Sequence, residues 1–338
     1  MLKYHSLSEE ETAALLAELQ APSFRAGQLR DWVYGHKAAS FDEMTNLPKG
    51  LRESLKDSLD LETPECADRT EADDGTCKYL LRLGDGALIE CVYLPYSDRR
   101  SVCVSTQVGC AVGCAFCASC LNGFVRNLTC GEIVNQILFV ERETGERISH
   151  VVFMGIGEPL HNIEQVTRAC GVINKRLGIS QRRITVSTSG IVSGIRRLAD
   201  LQPEFTLALS LHSPFQEQRQ QLIPIARRNT LEDIESACAY YFERTGRRIT
   251  LEYLLLDGVN TSGEAAEALA GIARRLKAHV NLIPYNPVEG KPFRRPSGRT
   301  VSSFAAILGE RGVPVTQRLE RGSKKGAACG QLRNMSKP

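Results

Sequence analysis

Residues 109–117 read GCAVGCAFC and space Cys110, Cys114 and Cys117 as C-x3-C-x2-C. Three thiolates on one short loop can each bind one iron of a cubane iron–sulfur cluster. Clusters held entirely by protein use four cysteines, so this spacing leaves one iron open to a ligand from outside the chain. We therefore predict that these three cysteines hold a 4Fe–4S cluster.

Zinc is the competing interpretation of clustered cysteines. Structural zinc sites usually combine two C-x2-C pairs, and no second pair follows here at a suitable distance. Cys120 could add a fourth thiolate to the three. The chain has 12 cysteines in all. In a reducing cytoplasm, such clustering favours metal or redox chemistry over structural disulfides.

The composition is that of an ordinary globular protein. The 338 residues are 42% apolar and 24% charged, enough for one large domain with a small accessory one. The N-terminus is acidic at Glu9, Glu10 and Glu11, where a signal peptide would need an apolar run. No apolar stretch approaches the length of a transmembrane helix. We therefore expect a cytoplasmic protein without a membrane partner.

Positive charge is concentrated towards the C-terminus. Residues 291–337 contain 11 Lys and Arg against Glu310 and Glu320, so this tail carries +9 and the rest of the chain −6. A basic tail can be no more than a solvated face. It can also bind a polyanion such as RNA through its phosphates.

Periodicity divides the chain into three parts. Residues 1 to about 60 predict short helices, the first capped by Ser8. Residues 78–83 and 87–94 predict a β-hairpin on a Gly-Asp-Gly turn. Beyond residue 105, strands alternate with helices, which favours a parallel sheet, open or closed into a barrel. The predicted strands are 150–154, 184–187, 206–211, 248–254 and 280–284, and the predicted helices include 131–144, 162–177 and 264–277.

Several blocks, in order along the chain, resemble the RlmN/Cfr family of radical S-adenosylmethionine (SAM) RNA adenine methylases, and most closely its RlmN branch. The cluster motif itself, with Phe116 before the last cysteine, resembles the wider radical SAM superfamily. The blocks are FDEMT at 41–45, CVSTQVGC at 103–110, GFVRNLT at 123–129, FMGIGEPL at 153–160, RRITVSTSG at 182–190, SLH at 210–212, NLIPYNP at 281–287 and AACGQL at 327–332. One position departs from the family pattern: Cys120 stands where the family usually has a glycine.

The resemblance implies a partial (β/α)6 radical SAM barrel, preceded by a small helical N-terminal domain and a short β extension. The domain prediction is an RNA-docking helical domain at 1–65, a β extension at 66–100, the barrel at 101–310 and a C-terminal segment at 311–338. The ligands of such folds bind at the carboxyl ends of the strands.

The resemblance also assigns the SAM contacts. Gly157 and Glu158 would meet the amino group of SAM. The other implied contacts follow predicted strands: Ser187, Ser210, Leu211, His212 and Asn286. Each has a simpler interpretation as a turn residue or a local cap.

Three further residues are implied in catalysis. In the family, the cysteine that matches Cys329 is methylated by one SAM, and a 5′-deoxyadenosyl radical from a second SAM then removes hydrogen from that methyl group. The resulting carbon radical adds to adenine, and the cysteine that matches Cys103 resolves the protein–RNA link through a transient disulfide. Glu90 resembles a family glutamate proposed as proton acceptor. The interpretation without function is two unrelated thiols and a solvated glutamate.

The implied reaction is methylation of carbon 2 of an adenosine in 23S ribosomal RNA and in transfer RNA, using two SAM per turnover. The alternatives are methylation of carbon 8, as in the Cfr-type resistance branch, and a non-catalytic RNA-binding protein with a metal. The implied partners are RNA and an electron donor such as flavodoxin or ferredoxin. We expect a monomer.

Overall fold

The first α-helix of the N-terminal part is capped by Ser8, as predicted. The computed structural model describes residues 1–318, 321–322 and 326–332. Strand β1 (Leu2–Lys3) precedes helix α1 (Glu9–Glu18), and the Ser8 hydroxyl accepts a 3.0 Å hydrogen bond from the Glu11 amide. The Glu11 carboxylate accepts a 2.7 Å hydrogen bond from the Ser8 amide, which completes a capping box. Helices α2 (Arg25–Arg30) and α3 (Lys49–Ser58) follow, and β2 (Leu59–Asp60) pairs with β1 in parallel.

An antiparallel meander comes next and carries the predicted hairpin. Its strands are β3 (Glu65–Glu71), β4 (Cys77–Arg82) and β5 (Leu88–Pro95), with β6 (Arg100–Cys103) returning beside β5. The hairpin turn is closed by Asp85, whose carboxylate accepts from the Ala87 amide at 3.0 Å, and by Gly86 at φ +86°. Because β6 also pairs in parallel with a barrel strand, the β extension and the barrel share one sheet.

The remaining elements form the partial barrel. After the short β7 (Gln107–Gly109) and β8 (Phe124–Asn127), the strands are β9 (His150–Phe153), β10 (Ile184–Thr188), β11 (Thr206–Ser210), β12 (Thr250–Leu255), β13 (His279–Pro284) and β14 (Val315–Gln317). The helices are α4 (Cys130–Thr144), α5 (Ile163–Lys175), α6 (Val192–Leu201), α7 (Gln216–Leu222), α8 (Leu231–Thr245), α9 (Gly263–Arg275) and α10 (Gly298–Glu310).

The sheet has ten strands in the order β14-β13-β12-β11-β10-β9-β6-β5-β4-β3. From β6 to β14 all pairings are parallel, and the two edge strands, β3 and β14, do not pair with each other. Six parallel strands are each followed by helix, and β14 adds a seventh strand. The predicted partial (β/α)6 barrel is confirmed, and the predicted strands and helices differ from the observed ones by one or two residues at their ends.

One hydrophobic core joins the N-terminal helices to the barrel. Leu29, Val33 and Leu55 belong to the same buried cluster as Ile133 and Ile137 of α4. In the part of the chain that the structure describes, no helix combines the length and apolarity needed to cross a bilayer. The boundaries of the four predicted domains stay a prediction.

Candidate active site at the carboxyl ends of the barrel strands

The cysteine loop leaves β6 at the carboxyl end of the barrel and is fixed by contacts from three directions. Its Ala115 amide donates to the Leu222 carbonyl of α7 at 2.9 Å. Val112 and Phe116 are buried with residues of β12, β13 and α7 in a separate apolar cluster. The Phe116 ring packs edge-on against His212, with ring centroids 5.1 Å apart. The loop is therefore positioned by the barrel rather than by the cysteines themselves.

The thiols of Cys110, Cys114, Cys117 and Cys120 are gathered together. Hydrogen bonds from Cys110, Cys114 and Cys117 lower the pKa of the Cys120 thiol, and the same bonds, together with burial, raise the pKa of the other three. These bonds show that the structure brings Cys120 into contact with the three predicted ligands. Among the described residues, no group of three or more His, Cys, Asp or Glu side chains has an arrangement that could hold a single metal ion.

A cavity with about 950 Å³ of empty volume opens beside these thiols. The predicted residues that line it are Cys110, Cys114, Cys117, Gly157, Glu158, Ser187, Ser210, His212 and Cys329.

Glu158 is held in this cavity by three hydrogen bonds. One carboxylate oxygen accepts from the Ser189 amide and the Ser189 hydroxyl, both at 2.7 Å, and the other accepts from the Leu160 amide at 3.0 Å. Its own amide donates to the side chain of Gln107 at 2.8 Å. Since Glu158 is only 3% exposed, these donors fix the direction of its carboxylate.

Of the predicted SAM contacts at the ends of β10 and β11, Ser187, Ser210 and His212 line the cavity and Leu211 does not. The Ser187 hydroxyl donates to the Phe153 carbonyl at 2.8 Å, while Leu211 is buried and does not line the cavity. The Nδ1 of His212 accepts from the Leu254 amide at 3.0 Å, which leaves the proton on Nε2. Burial, followed by the charge of Arg219, lowers the pKa of His212 to about 3, so the ring is neutral at physiological pH.

A second, adjoining cavity brings Cys103 and Cys329 together. It has about 580 Å³ of empty volume, and it shares Met154, Ile283, Arg318 and Cys329 with the first cavity. Burial, followed by the charge of Cys329, raises the pKa of Cys103 to about 12. The thiol of Cys329 is half-buried. Cys329 is therefore the predicted residue that faces both cavities.

Asn286 lines this second cavity and not the first. Its side-chain oxygen accepts a 3.3 Å hydrogen bond from Arg295. The structure thus places Asn286 in a different cavity from Gly157, Glu158, Ser187, Ser210 and His212.

Direct bonds tie the C-terminal segment to the cysteine loop. The Ala118 amide donates to the Gly330 carbonyl at 2.8 Å, and the Ser119 hydroxyl donates to the Leu332 carbonyl at 2.9 Å. These bonds set Cys329 beside Cys117 although more than 200 residues separate them in sequence. Only residues 326–332 and 321–322 of this segment belong to the described part beyond residue 318.

Glu90 is not brought into either cavity. It lines a third one, of about 790 Å³, with Lys78, Pro287, Gly326 and Gln331. Its carboxylate is 3% exposed and forms an ion pair with the Lys78 ammonium at 2.8 Å.

Three charged residues that the sequence analysis did not name face or border the site. Glu252 and Arg318 line the first cavity, and Arg219 lies fully buried behind it. Burial raises the pKa of Glu252. Glu252 had a detectable signal, a carboxylate inside the apolar run of β12. The sequence gives no signal of a functional role for Arg219 or Arg318, because an isolated arginine is usually solvated.

The donors fit the groups that the sequence analysis inferred. Thiolates are the usual ligands of iron–sulfur clusters, and three of them border a cavity that a fixed carboxylate also lines. At Gly157, which lines the same cavity, φ is +112° and an added Cβ would lie 2.7 Å from the Cβ of Gln107, so only glycine fits here without strain.

Comparisons with known proteins bear on the whole chain. The family model described as "Radical SAM superfamily" matches residues 104–269, and the model "Ribosomal RNA large subunit methyltransferase N-terminal domain" matches residues 5–61. A protein of Symbiobacterium thermophilum named "Probable dual-specificity RNA methyltransferase RlmN" is 50% identical over 338 residues, covering 97% of this chain and 90% of its own. A protein of the same name from Thermosynechococcus vestitus is 46% identical and covers 96% of both chains.

Solved structures agree with this likeness. A radical SAM methyltransferase from Sphaerobacter thermophilus superposes with a TM-score of 0.95 at 44% identity, covering 99% of this chain and 100% of that one. SuiB of Streptococcus suis, solved with S-adenosylmethionine, reaches a TM-score of 0.50 at 15% identity over 66% of this chain and 52% of its own. The second likeness concerns the fold alone.

Proposed function

Because the chain belongs to the RlmN/Cfr family of radical SAM RNA methyltransferases, we propose that it methylates carbon 2 of an adenosine in 23S ribosomal RNA. The relatives' names describe a dual specificity, and we propose transfer RNA as the second substrate. The family also implies the 4Fe–4S cluster and SAM, which decides against the zinc interpretation. A non-catalytic RNA-binding role finds no support among relatives named as methyltransferases.

The observation that carries the proposal is the place of Cys329. It lines the cavity beside the cluster cysteines and also the cavity that holds Cys103. A thiol that first accepts a methyl group beside SAM and then passes it to RNA needs access to both spaces. The interpretation of Cys103 and Cys329 as unrelated thiols does not explain why both line the same cavity.

The residues divide between the two cofactors. Cys110, Cys114 and Cys117 would hold the cluster. The SAM molecules, two per turnover, would be held by Gly157, Glu158, Ser187, Ser210, Leu211, His212 and Asn286. When bound, the cluster and SAM supply the radical that makes an unreactive aromatic carbon open to methylation, which displacement on SAM cannot do.

Fixed side chains prepare the SAM site. The carboxylate of Glu158, oriented by Ser189 and Leu160, would bind an ammonium group. The neutral His212 adds a hydrogen-bond donor at Nε2 without adding charge. Phe116 and the apolar residues around the cysteine loop exclude water from the same space.

Cys329 and Cys103 would act in turn. A bond forms between Cys329 Sγ and the methyl carbon as the sulfonium of SAM gives up that carbon. After the carbon has joined a flipped-out adenine and the ring carbon has lost its proton, Cys103 attacks Cys329 Sγ. An S–S bond forms, the electron pair of the S–C bond goes to the methylene carbon, which takes up a proton to become the methyl group, and the unpaired electron left by the radical addition passes to a one-electron acceptor. Because burial keeps Cys103 protonated, it must lose its proton before that attack, and nearby Arg318 favours this loss.

Glu90 is the proposed proton acceptor for the ring carbon. It is buried, it is paired with Lys78, and its cavity touches Gly326 and Gln331 on either side of Cys329 in the C-terminal segment. We propose an electron donor such as flavodoxin or ferredoxin as protein partner, and a monomer acting in the cytoplasm.

The proposal is tested by mass spectrometry of digested RNA. Anaerobically reconstituted protein is incubated with SAM, a reductant and unmodified 23S RNA or transfer RNA. We expect 2-methyladenosine, and Cys329→Ala should lower its formation by about 10³-fold or more, because it removes the group that carries the methyl.

The matched control is Cys66→Ala, which removes an exposed thiol on β3 and should leave methylation unchanged. An 8-methyladenosine product would overturn the assignment of carbon 2. A protein that cleaves SAM yet yields no methylated adenine would contradict the proposed substrate.

A further inference from the structure

Arg219 is a fully buried cation at the carboxyl ends of two barrel strands. It lies on α7 and has 0% of its surface exposed. Its Nε donates to the Leu211 carbonyl at 3.1 Å, and its Nη2 donates to the carbonyls of Ser189 at 2.5 Å and Ser210 at 3.3 Å. The guanidinium thus joins the end of β11 to the residue that follows β10.

The hydrogen-bond partners of the Arg219 guanidinium are all uncharged, and one of its nitrogens has no partner among the described residues. All three acceptors are backbone carbonyls, and no carboxylate of the described residues lies within salt-bridge distance of Arg219. Its Nη1 is buried without a hydrogen-bond partner among the described residues. Because an uncompensated buried charge is strongly destabilising, a guanidinium in this position calls for an anion, and the described residues do not supply one.

The cysteine loop packs against the helix that carries Arg219. Leu222, one helical turn beyond Arg219 on α7, accepts the hydrogen bond of Ala115 from inside the loop. Cys114 is the first group whose negative charge acts on Arg219 and opposes the effect of burial on it. Three thiolates and a cluster would place net negative charge at this position, and each electron added to the cluster increases it.

We propose that Arg219 is a positioning residue whose charge offsets the negative charge of the cluster and its thiolates, so that the bound cluster accepts an electron more easily. The inference rests on the proposed cluster ligands Cys110, Cys114 and Cys117, and it does not depend on which RNA is methylated. In the step concerned, one electron passes from the reductant to the cluster and no bond forms or breaks.

Arg219 also orients the SAM contacts. The Ser189 carbonyl that it binds belongs to the residue whose amide and hydroxyl hold Glu158. The Ser210 and Leu211 carbonyls precede His212, which is held at φ +59°. A single side chain therefore sets the strand ends on which the site depends.

The test is an anaerobic redox titration of the reconstituted protein with dithionite, with the reduced cluster followed by electron paramagnetic resonance. Arg219→Met removes the charge, and we expect a several-fold smaller ratio of reduced to oxidised cluster at a fixed potential, with the iron content of the wild type. Arg219→Lys keeps the charge and should restore most of that ratio. Arg176→Met is the matched control, since it removes another arginine that binds a backbone carbonyl, at the N-terminal interface, and should leave the ratio unchanged.

Each result decides the matter. An Arg219→Met protein with full iron and an unchanged potential overturns the inference. If Arg219→Met folds but fails to bind iron, recovery of iron in Arg219→Lys supports a need for charge, and failure of both variants contradicts it. A shifted potential in a protein that methylates no RNA would sink the proposed function and leave this inference standing.

Discussion

At the scale of single residues, backbone conformation limits what the site accepts. Gly157 adopts φ +112°, a region that residues with a side chain rarely occupy, and an added Cβ would lie 2.7 Å from the Cβ of Gln107 and 2.8 Å from the Oγ1 of Thr106. Gln107 cannot move freely, because it holds the Glu158 amide. Strain at Gly157 is therefore passed to the carboxylate proposed to bind SAM.

We predict that Gly157→Ala lowers the free energy of unfolding by roughly 1–3 kcal/mol and weakens SAM binding more than it weakens cluster binding. Chemical denaturation and equilibrium binding of SAM to the reconstituted protein measure the two effects. Gly145→Ala is the control for a glycine at positive φ with no atom within 4 Å of the added Cβ. Wild-type SAM affinity in Gly157→Ala would show that this position does not govern the site.

At the scale of elements, a histidine joins the N-terminal helices to α4. His5 is 1% exposed; its Nδ1 lies 2.8 Å from the Tyr34 hydroxyl and its Nε2 lies 3.3 Å from Asn135 of α4. Arg176 binds the Tyr34 hydroxyl at 2.9 Å and the Leu7 carbonyl at 2.5 Å. Burial, followed by the charge of Arg176, lowers the pKa of His5 to about 3.

This interface should make stability depend on pH. The unfolded chain binds a proton at His5 below about pH 6.5, whereas the folded protein does so only near pH 3. The stabilising effect is thus complete above about pH 6.5 and is lost as the pH falls towards 3, at ~1.4 kcal/mol per pH unit.

We predict that His5→Asn makes the free energy of unfolding less dependent on pH by about that amount between pH 6 and 4. Denaturant unfolding at several pH values gives the slope. His36→Gln, at an exposed histidine of the same helical part, measures the cost of replacing a histidine elsewhere. An unchanged slope in His5→Asn would contradict the burial of a neutral ring.

At the scale of the whole molecule, a basic loop contributes to the cavity that contains Cys103 and Cys329. The loop after β13 carries Asn286 and Arg295, which line the cavity of Cys103 and Cys329, and it continues the basic C-terminal part of the chain. Lys291 lies in the same loop, and the Arg294 side chain is 80% exposed. The half-buried Lys291 and the exposed Arg294 thus lie in the same loop as two residues that line this cavity.

We predict that replacing both Lys291 and Arg294 by Ala makes RNA binding less dependent on salt. The slope of log affinity against log salt should become shallower by roughly 1.5, because each lost phosphate contact removes about 0.7–0.9. Arg197→Ala, an exposed arginine on the outer helix α6, is the control and should leave the slope as it is. An equal effect of the two changes would assign the contact to general charge rather than to this loop.

The sequence by itself determined most of the secondary structure and the cluster motif, since both depend on neighbours in the chain. Apolar periodicity gave five of the seven parallel strands, β9 to β13, with ends correct to one or two residues, but it did not give β6, the first of them. Strand β14 was missed, because three residues, none of them buried, have too little pattern to detect. The family resemblance was confirmed by relatives at 44–50% identity.

Only the tertiary structure decided which residues share a space. It joined Cys329 to the cysteine loop through bonds from Ala118 and Ser119, and it placed Glu90 with Lys78 in a cavity of its own. It also buried Arg219 against carbonyls from two strands. These arrangements depend on contacts between distant segments, which form only when the sheet curves and brings the carboxyl ends of its strands together, and local sequence carries no record of that approach.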